Sequence, residues 1–265
     1  MAALIWMLEN PHRAAVCSIT EIADEAGVDP STLTRLGKRL GLSGFTDLQE
    51  VFRKQISQLG LFYSNHAKGI MDRRSSGRAN RFQQLAHEEV ERLLATASGT
   101  DDASIEKASE LICKANNVYV IGVRATYSVA YFFGAFASFL RPRVAMLGIS
   151  GGAIAEELAQ VSRDDVFVVV SFRPYTKVAV QACAAMAKRE VPIVAITDAS
   201  SPLAGEGESR VTLRTQGPFY FNSAVSSFLL VELLLSSVAE MLGPRAIAHM
   251  HEVEALLAET SIETD

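Results

Sequence analysis

The sequence predicts an α/β protein in two parts: an all-helical domain over 1–78, then a parallel five-stranded sheet with helices on both faces over 79–265. Three observations carry that expectation. After Asn116, short β-branched runs alternate with helix-length segments, the pattern of a parallel sheet. Before it, apolar residues recur at helical spacing between caps and glycines. Charge changes sign along the chain as well: Met1 to Arg81 holds eleven basic and eight acidic residues, the remainder fourteen and twenty-two. With 265 residues, 49% hydrophobic and 21% charged, the chain can bury a large core and is not disordered throughout. A net charge of -5 excludes nucleic-acid binding by bulk charge alone.

The helices follow from their ends. Ala2 to Glu9 is helical and stops before Pro11. Ser18 with Glu21 three residues on forms a capping box for a helix that Gly27 ends. Asp29 caps the next, with Pro30 at its first position, and Gly41 closes it after Leu40. A fourth covers Thr46 to Leu59. The stretch from Asp72 to Asn80 is basic and small, without apolar period, and reads as a linker. Helices over Arg81–Ala97 and Ala103–Ala115 lead to strands at Val118–Gly122, Arg143–Leu147, Val166–Ser171, Ile193–Thr197 and Val211–Leu213. Helices over 126–140, 151–161, 176–189 and 222–242 separate or follow them.

Cys17, Cys113 and Cys183 are odd in number and far apart, so neither a disulfide framework nor a thiolate metal site is expected. Neither a metal nor another cofactor is expected elsewhere. No secretory signal is indicated at the N-terminus. The apolar run Ala125 to Leu140 is short of the roughly 20 residues that span a bilayer and carries Tyr127, Ser128, Tyr131 and Ser138. It reads as a buried helix, and the protein as cytoplasmic without a membrane partner.

On the helix from Pro30, Leu33, Leu36 and Leu40 form a narrow apolar stripe, which can pack on Ile19, Ile22, Ala23 and Ala26. Ser31, Thr32, Thr34, Arg35, Lys38 and Arg39 occupy the other side, with hydroxyls, three cations and no acid. A major-groove reader needs that chemistry: hydroxyls and arginine for base edges, further cations for phosphates. These six residues are the candidate DNA contacts. A solvated face is the plainer alternative, but the short turn Gly27-Val28-Asp29 between two capped helices favours double-stranded operator DNA as partner. The segment ENPHRAAVCSITEIADEAGVDPSTLTRLGKRLGLSGFTDLQ, with Leu40-Gly41, Gly44-Phe45 and Leu48, resembles the N-terminal domain of the RpiR family of bacterial transcriptional regulators. That family's pattern carries one or two further helical turns before the position of Met1.

Ligands of open α/β sheets sit beyond the carboxyl ends of the strands. There the chain places Gly122, Arg124, Thr126 and Ser128, then Ser150-Gly151-Gly152, then Ser171, Arg173, Tyr175 and Thr176, then Thr197-Asp198 and Ser201. Helix N-termini and hydroxyl-rich turns can hold a phosphate or carboxylate, and arginine adds a forked donor. The candidate ligand residues are Gly122, Arg124, Thr126, Ser128, Ser171, Arg173, Tyr175, Thr176 and Ser201. Each hydroxyl could instead be a plain helix cap. GxGxxG is absent, so a dinucleotide is not expected.

The stretch from Asn116 to Leu242 resembles a SIS domain, the sugar-isomerase fold that binds phosphosugars. Two motifs depart from that pattern: Arg124 replaces the second Gly of G-x-G-x-S, and Ser171-Phe172-Arg173-Pro174-Tyr175-Thr176 replaces S-x-S-G-x-T. The resemblance implies a small anionic effector, a phosphosugar or related sugar acid, sensed by a regulator rather than turned over by an enzyme. The alternative is a phosphosugar isomerase with an accessory helical domain. A third reading is an interaction protein whose head does not bind DNA. Isomerisation needs a placed acid and base, and none of the five histidines lies at a strand end, which leaves Glu156 and Glu157. The aromatic run Tyr127, Tyr131, Phe132, Phe133, Phe136 and Phe139 suits core packing or a subunit interface, and a homodimer or homotetramer is expected.

Overall fold

The computed structural model describes residues 2–60, 81–149, 153–198, 201–203, 209–212 and 223–260. The 72–80 linker and the Ser150-Gly151-Gly152 turn expected above lie outside them. The chain divides into two compact units, Met1–Ser76 and Gly77–Asp265.

The first unit contains α1 (Ala2–Glu9), α2 (Pro11–Val16), α3 (Ile19–Glu25), α4 (Pro30–Arg39) and α5 (Phe45–Gly60). Helix α2 is an addition to the expectation. Pro11 ends α1 but opens α2, because the N–H that proline lacks has no partner at a first helical position. Ser18 and Glu21 form the capping box, Ser18 N donating to Glu21 Oε2 at 2.7 Å and Glu21 N to Ser18 Oγ at 3.3 Å. Helices α3 and α4 end alike. Gly27 and Gly41 adopt positive φ, and the next N–H reaches back over the last turn, Val28 N to Ala23 O and Leu42 N to Gly37 O. Met7, Ile22, Leu33, Leu48 and Phe52 fill the core of this unit. Buried Gln49 of α5 donates through Nε2 to Ala14 O at 3.1 Å and Cys17 O at 2.7 Å, satisfying carbonyls at the end of α2.

The apolar stripe expected on α4 needs one correction. Leu33 is buried and Leu36 half-buried, but Leu40 is 50% exposed. The helix ends at Arg39, and the left-handed Gly41 turns the chain so that Leu42 packs against the core in its place.

The described part of the second unit begins with α6 (Arg81–Gly99) and α7 (Asp102–Lys114). Then come β1 (Val118–Gly122), a 3-10 turn (Arg124–Thr126), α8 (Tyr127–Leu140), β2 (Val144–Met146), α9 (Ile154–Ala159), β3 (Val166–Val170), α10 (Lys177–Lys188), β4 (Ile193–Thr197), β5 (Ser209–Thr212), α11 (Val225–Leu242) and α12 (Pro244–Thr260). The strands are parallel in the order β2-β1-β3-β4-β5, with Val120 opposite Val168 and Val169 opposite Ala195. The strands β1, β3 and β4 are buried nearly throughout, as a sheet covered on both faces requires. Alternate residues serve the two faces. Val118, Val120, Val168, Val170, Val194 and Ile196 pack with Phe133, Leu230 and Leu234 of α8 and α11. Ile121, Phe167, Val169 and Ala195 pack with Ala182 and Met186 of α10.

Helix α11 is long and apolar enough to cross a membrane by length and composition. Its Leu230, Val231, Leu234 and Val238 are fully buried against the sheet's helical layer, so it is a core helix of this unit. Below β1, Asp165 orders the strand starts. It accepts from Asn117 N and Nδ2 at 3.0 and 2.6 Å, and from Ser162 N and Oγ at 2.8 and 2.7 Å. Burial pushes its carboxyl up, yet these hydrogen bonds outweigh burial and hold it below the usual carboxylate range.

Candidate functional site

In the first unit the candidate residues lie on α4. Asp29 accepts from Ser31 N at 2.8 Å and caps the helix. A hydrogen bond from the Ser31 hydroxyl first, then the Ser31 N–H, with a smaller contribution from the charge of Arg35, keep its carboxyl below the ordinary value. Ser31, Arg35, Lys38 and Arg39 are exposed; Thr32 and Thr34 are half-buried. Arg35 Nη2 donates to Ser31 Oγ at 3.1 Å, which lays the guanidinium along the first turn. The outward face therefore presents three cations at the spacing expected, with the two threonines drawn partly inward.

In the second unit the candidates gather where the strands end, but many are engaged within the protein. Gly122 has no room for a side chain: a Cβ there would come within 2.5 Å of Thr126 O and 2.6 Å of Ala130 Cβ. It lets the 3-10 turn close on β1. Thr126 accepts from Val123 N at 3.0 Å and donates to Val123 O at 2.9 Å, so its hydroxyl is spent on that turn. Ser128 donates to Ala125 O at 2.9 Å. Arg124, between Gly122 and Thr126, adopts φ 61 and is exposed. A left-handed conformation is unfavourable for a side chain with a Cβ by roughly 1–2 kcal/mol. The position that resemblance assigned to glycine thus keeps a glycine-like backbone while bearing a guanidinium.

The turn after β3 is joined to the end of β4. Tyr175 OH donates to Asp198 Oδ1 at 2.6 Å, and Arg173 N to Asp198 Oδ2 at 3.2 Å. Ser201 N donates to Asp198 O at 3.1 Å, and the Ser201 hydroxyl bonds Tyr175 and accepts from Leu203 N at 3.1 Å. Burial first, then the Asp198 bond and charge, push the Tyr175 phenol far above its ordinary value, so it stays a neutral donor. Ser171 is buried in the ladder, its carbonyl accepting from Thr197 Oγ1 at 2.5 Å and its N–H bonding Ile196 O at 3.1 Å. Thr176 caps α10, accepting from Ala179 N at 3.4 Å. Asp198, which directly follows β4, joins the two turns although it is not among the expected ligand residues; a carboxylate accepts hydrogen bonds and repels an anion, so its residue type points away from an anion site.

Glu157 accepts from Gly148 N at 2.5 Å, tying α9 to the residues just after β2, while Glu156 is exposed on α9. His249 reaches Ser138 O at 3.1 Å, linking α12 to α8.

Known proteins share both units. The helix-turn-helix domain of the rpiR family matches residues 4–59, and the SIS domain matches residues 111–237. The sugar isomerase domain of an RpiR transcription factor from Sphaerobacter thermophilus is 32% identical, covering 66% of this chain and 99% of that one, with a TM-score of 0.63. The chain belongs to the RpiR family. Two further proteins are similar to this RpiR-family chain. The NanR protein of Vibrio vulnificus, solved with ManNAc-6P, shares the fold over 98% of this chain and 92% of its own, at 23% identity and TM-score 0.57. A glutamine–fructose-6-phosphate aminotransferase of Pyrobaculum aerophilum is 31% identical over 188 residues, and the chain spans 30% of that enzyme's length. An rpiR-type head beside the SIS domain separates this chain from enzymes that share only the latter.

Proposed function

We propose that this RpiR-family protein is a transcriptional regulator that reads operator DNA with α4 and senses a phosphosugar or related sugar acid at the strand ends of its SIS domain. The observation that carries the reading is the α4 face: Arg35, Lys38 and Arg39 exposed on a helix capped at both ends, with Ser31 beside them. Such a face neutralises phosphates and offers arginine to guanine edges. The effector's anion is received by the Arg124 and Arg173 side chains. The Thr126 and Thr176 hydroxyls are held in their own turns, Arg173 N bonds Asp198 and Pro174 has no N–H, so the guanidinium groups add donors that these groups do not supply. NanR's ManNAc-6P supports a phosphorylated sugar as the class.

The regulator works in the cytoplasm as a homodimer or homotetramer, since two half-sites need two heads. Tyr127, Tyr131 and Phe136 of α8, each 41–55% exposed, supply apolar surface for a second copy. The experiment is a gel shift of the full chain on its own promoter DNA across a salt series. Binding is expected to weaken steeply with salt and to fall on Arg35→Ala with the melting temperature unchanged. A wild-type protein that ignores DNA at low salt, or an Arg35→Ala variant that binds as well as wild type, refutes the reading.

A further inference from the structure

Among the described residues of the second unit, two buried hydroxyls have no hydrogen-bond partner. Ser226 and Ser227, in the first turn of α11, are 1% and 0% exposed, and neither Oγ is paired. Buried polar groups are nearly always satisfied in folded proteins, so a pair of orphans on one turn calls for a partner that arrives from outside the chain.

Their place in the fold says what that partner is. Cys113 Sγ, at the end of α7 and so beside the start of β1, lies 3.8 Å from Val238 O. This sets the far half of α11 at the strand starts and its first turn at the opposite edge, where the strands end. Phe228 stands edge-on to Phe132 of α8 with ring centroids 5.1 Å apart, and α8 begins directly after the Arg124–Thr126 turn. Ser227 shares its helix face with Leu230, Val231 and Leu234, all fully buried, so its hydroxyl is turned inward. The neighbouring Ser223 is engaged otherwise: its Oγ donates to Glu89 Oε1 of α6 at 2.5 Å and accepts from Val225 N at 3.3 Å.

We propose that the first turn of α11 is a subsite of the effector pocket, in which Ser226 and Ser227 hydrogen-bond an uncharged, hydroxyl-bearing part of the ligand. This rests on the strand ends being the effector site. Each serine hydroxyl both donates and accepts, which matches a sugar hydroxyl, and the N-terminal end of a helix favours oxygen lone pairs. The anion is held elsewhere, at the arginine turns. Both hydroxyls are sealed from solvent, so an entering ligand must displace this turn, and the contact it loads is Ser223 to Glu89. Glu89 is ion-paired to Arg92 within α6, the helix that follows the segment joining the two units. Occupancy is thereby felt by the first described helix after the DNA-binding head.

The test uses the full chain and the double variant Ser226→Ala/Ser227→Ala, titrated with inorganic phosphate, glucose 6-phosphate, fructose 6-phosphate and ribose 5-phosphate. Without ligand, the variant is expected to melt at the same temperature as wild type or higher, because replacing unpaired buried hydroxyls relieves a penalty. Inorganic phosphate should bind both proteins equally, while whichever sugar phosphate wild type takes should bind the variant about tenfold more weakly. A variant that melts lower without ligand overturns the proposal, since the hydroxyls are then satisfied in the folded protein by an internal water. Equal affinity of both proteins for the sugar phosphate overturns it too, with the effector reading intact. If wild type takes none of the sugar phosphates, that reading fails and the subsite falls with it.

Discussion

Helix α4 and the turns at the strand ends use the same residue types, hydroxyls beside arginine, yet they hold them in different ways. On α4 the cations stand outward and the framework is built from Asp29, Pro30, Gly41 and buried leucines that take no part in the face. At the strand ends the framework is built from the candidate residues themselves: Thr126 closes its own turn, Thr176 caps α10, Tyr175 and Arg173 N bind Asp198. Recognition and folding are thus separable in the first unit and entangled in the second. Substitutions on α4 should change binding and spare stability; substitutions at the strand ends should change both.

The largest effect expected is for Asp198→Ala. Removing the carboxylate leaves the half-buried Tyr175 O–H and the Arg173 N–H without their acceptor, at a cost of about 3 kcal/mol, or about 6–12 °C in the melting temperature of this unit. Effector binding should fall in parallel. A melting temperature within a degree of wild type would break the contrast between the units.

Arg35→Ala and Lys38→Ala come next. Each should weaken DNA binding by about 1–3 kcal/mol, and Lys38→Ala should flatten the salt slope by about one unit, with thermal unfolding unmoved. Loss of stability in either variant would show that the α4 face is structural after all.

Arg124→Gly sharpens the comparison from the other side. Relief of the left-handed φ should stabilise the SIS domain by about 1 kcal/mol, while effector affinity drops. A stabilised variant with undiminished affinity would remove Arg124 from the site.

The smallest effect is acid lability at the strand starts. Asp165 is held below its unfolded value, so its contribution is present above about pH 4 and lost as pH falls through the folded value. Asp165→Asn should therefore cost stability at pH 7 and progressively less at lower pH, measured by urea unfolding. Equal costs at pH 3 and pH 7 would assign the effect to packing alone. Tyr175, whose value is raised, works in the opposite direction: its contribution is whole below about pH 10 and lost only at higher pH.

What could be read from residue order was whatever depends on near neighbours. The capping box at Ser18, the Asp29-Pro30 start, the glycine stops and the α4 face all involve residues within about one helical turn, and periodicity reveals them. The alternation of strands and helices after Asn116 is local in the same sense, because each strand announces itself by a β-branched run. Leu40 leaves the stripe because the helix ends one residue sooner than its apolar period.

What folding alone settled were choices between two roles for one residue. Whether Thr176 grips a ligand or caps a helix, and whether Asp198 repels an anion or ties two loops, depends on partners brought together from distant parts of the chain. Tyr175 and Asp198 are 23 residues apart, Gln49 and Ala14 35, Ser223 and Glu89 134. A hydroxyl's chemistry is the same in every such setting; its occupation by a neighbour is a matter of distance, and distance is not written in residue order.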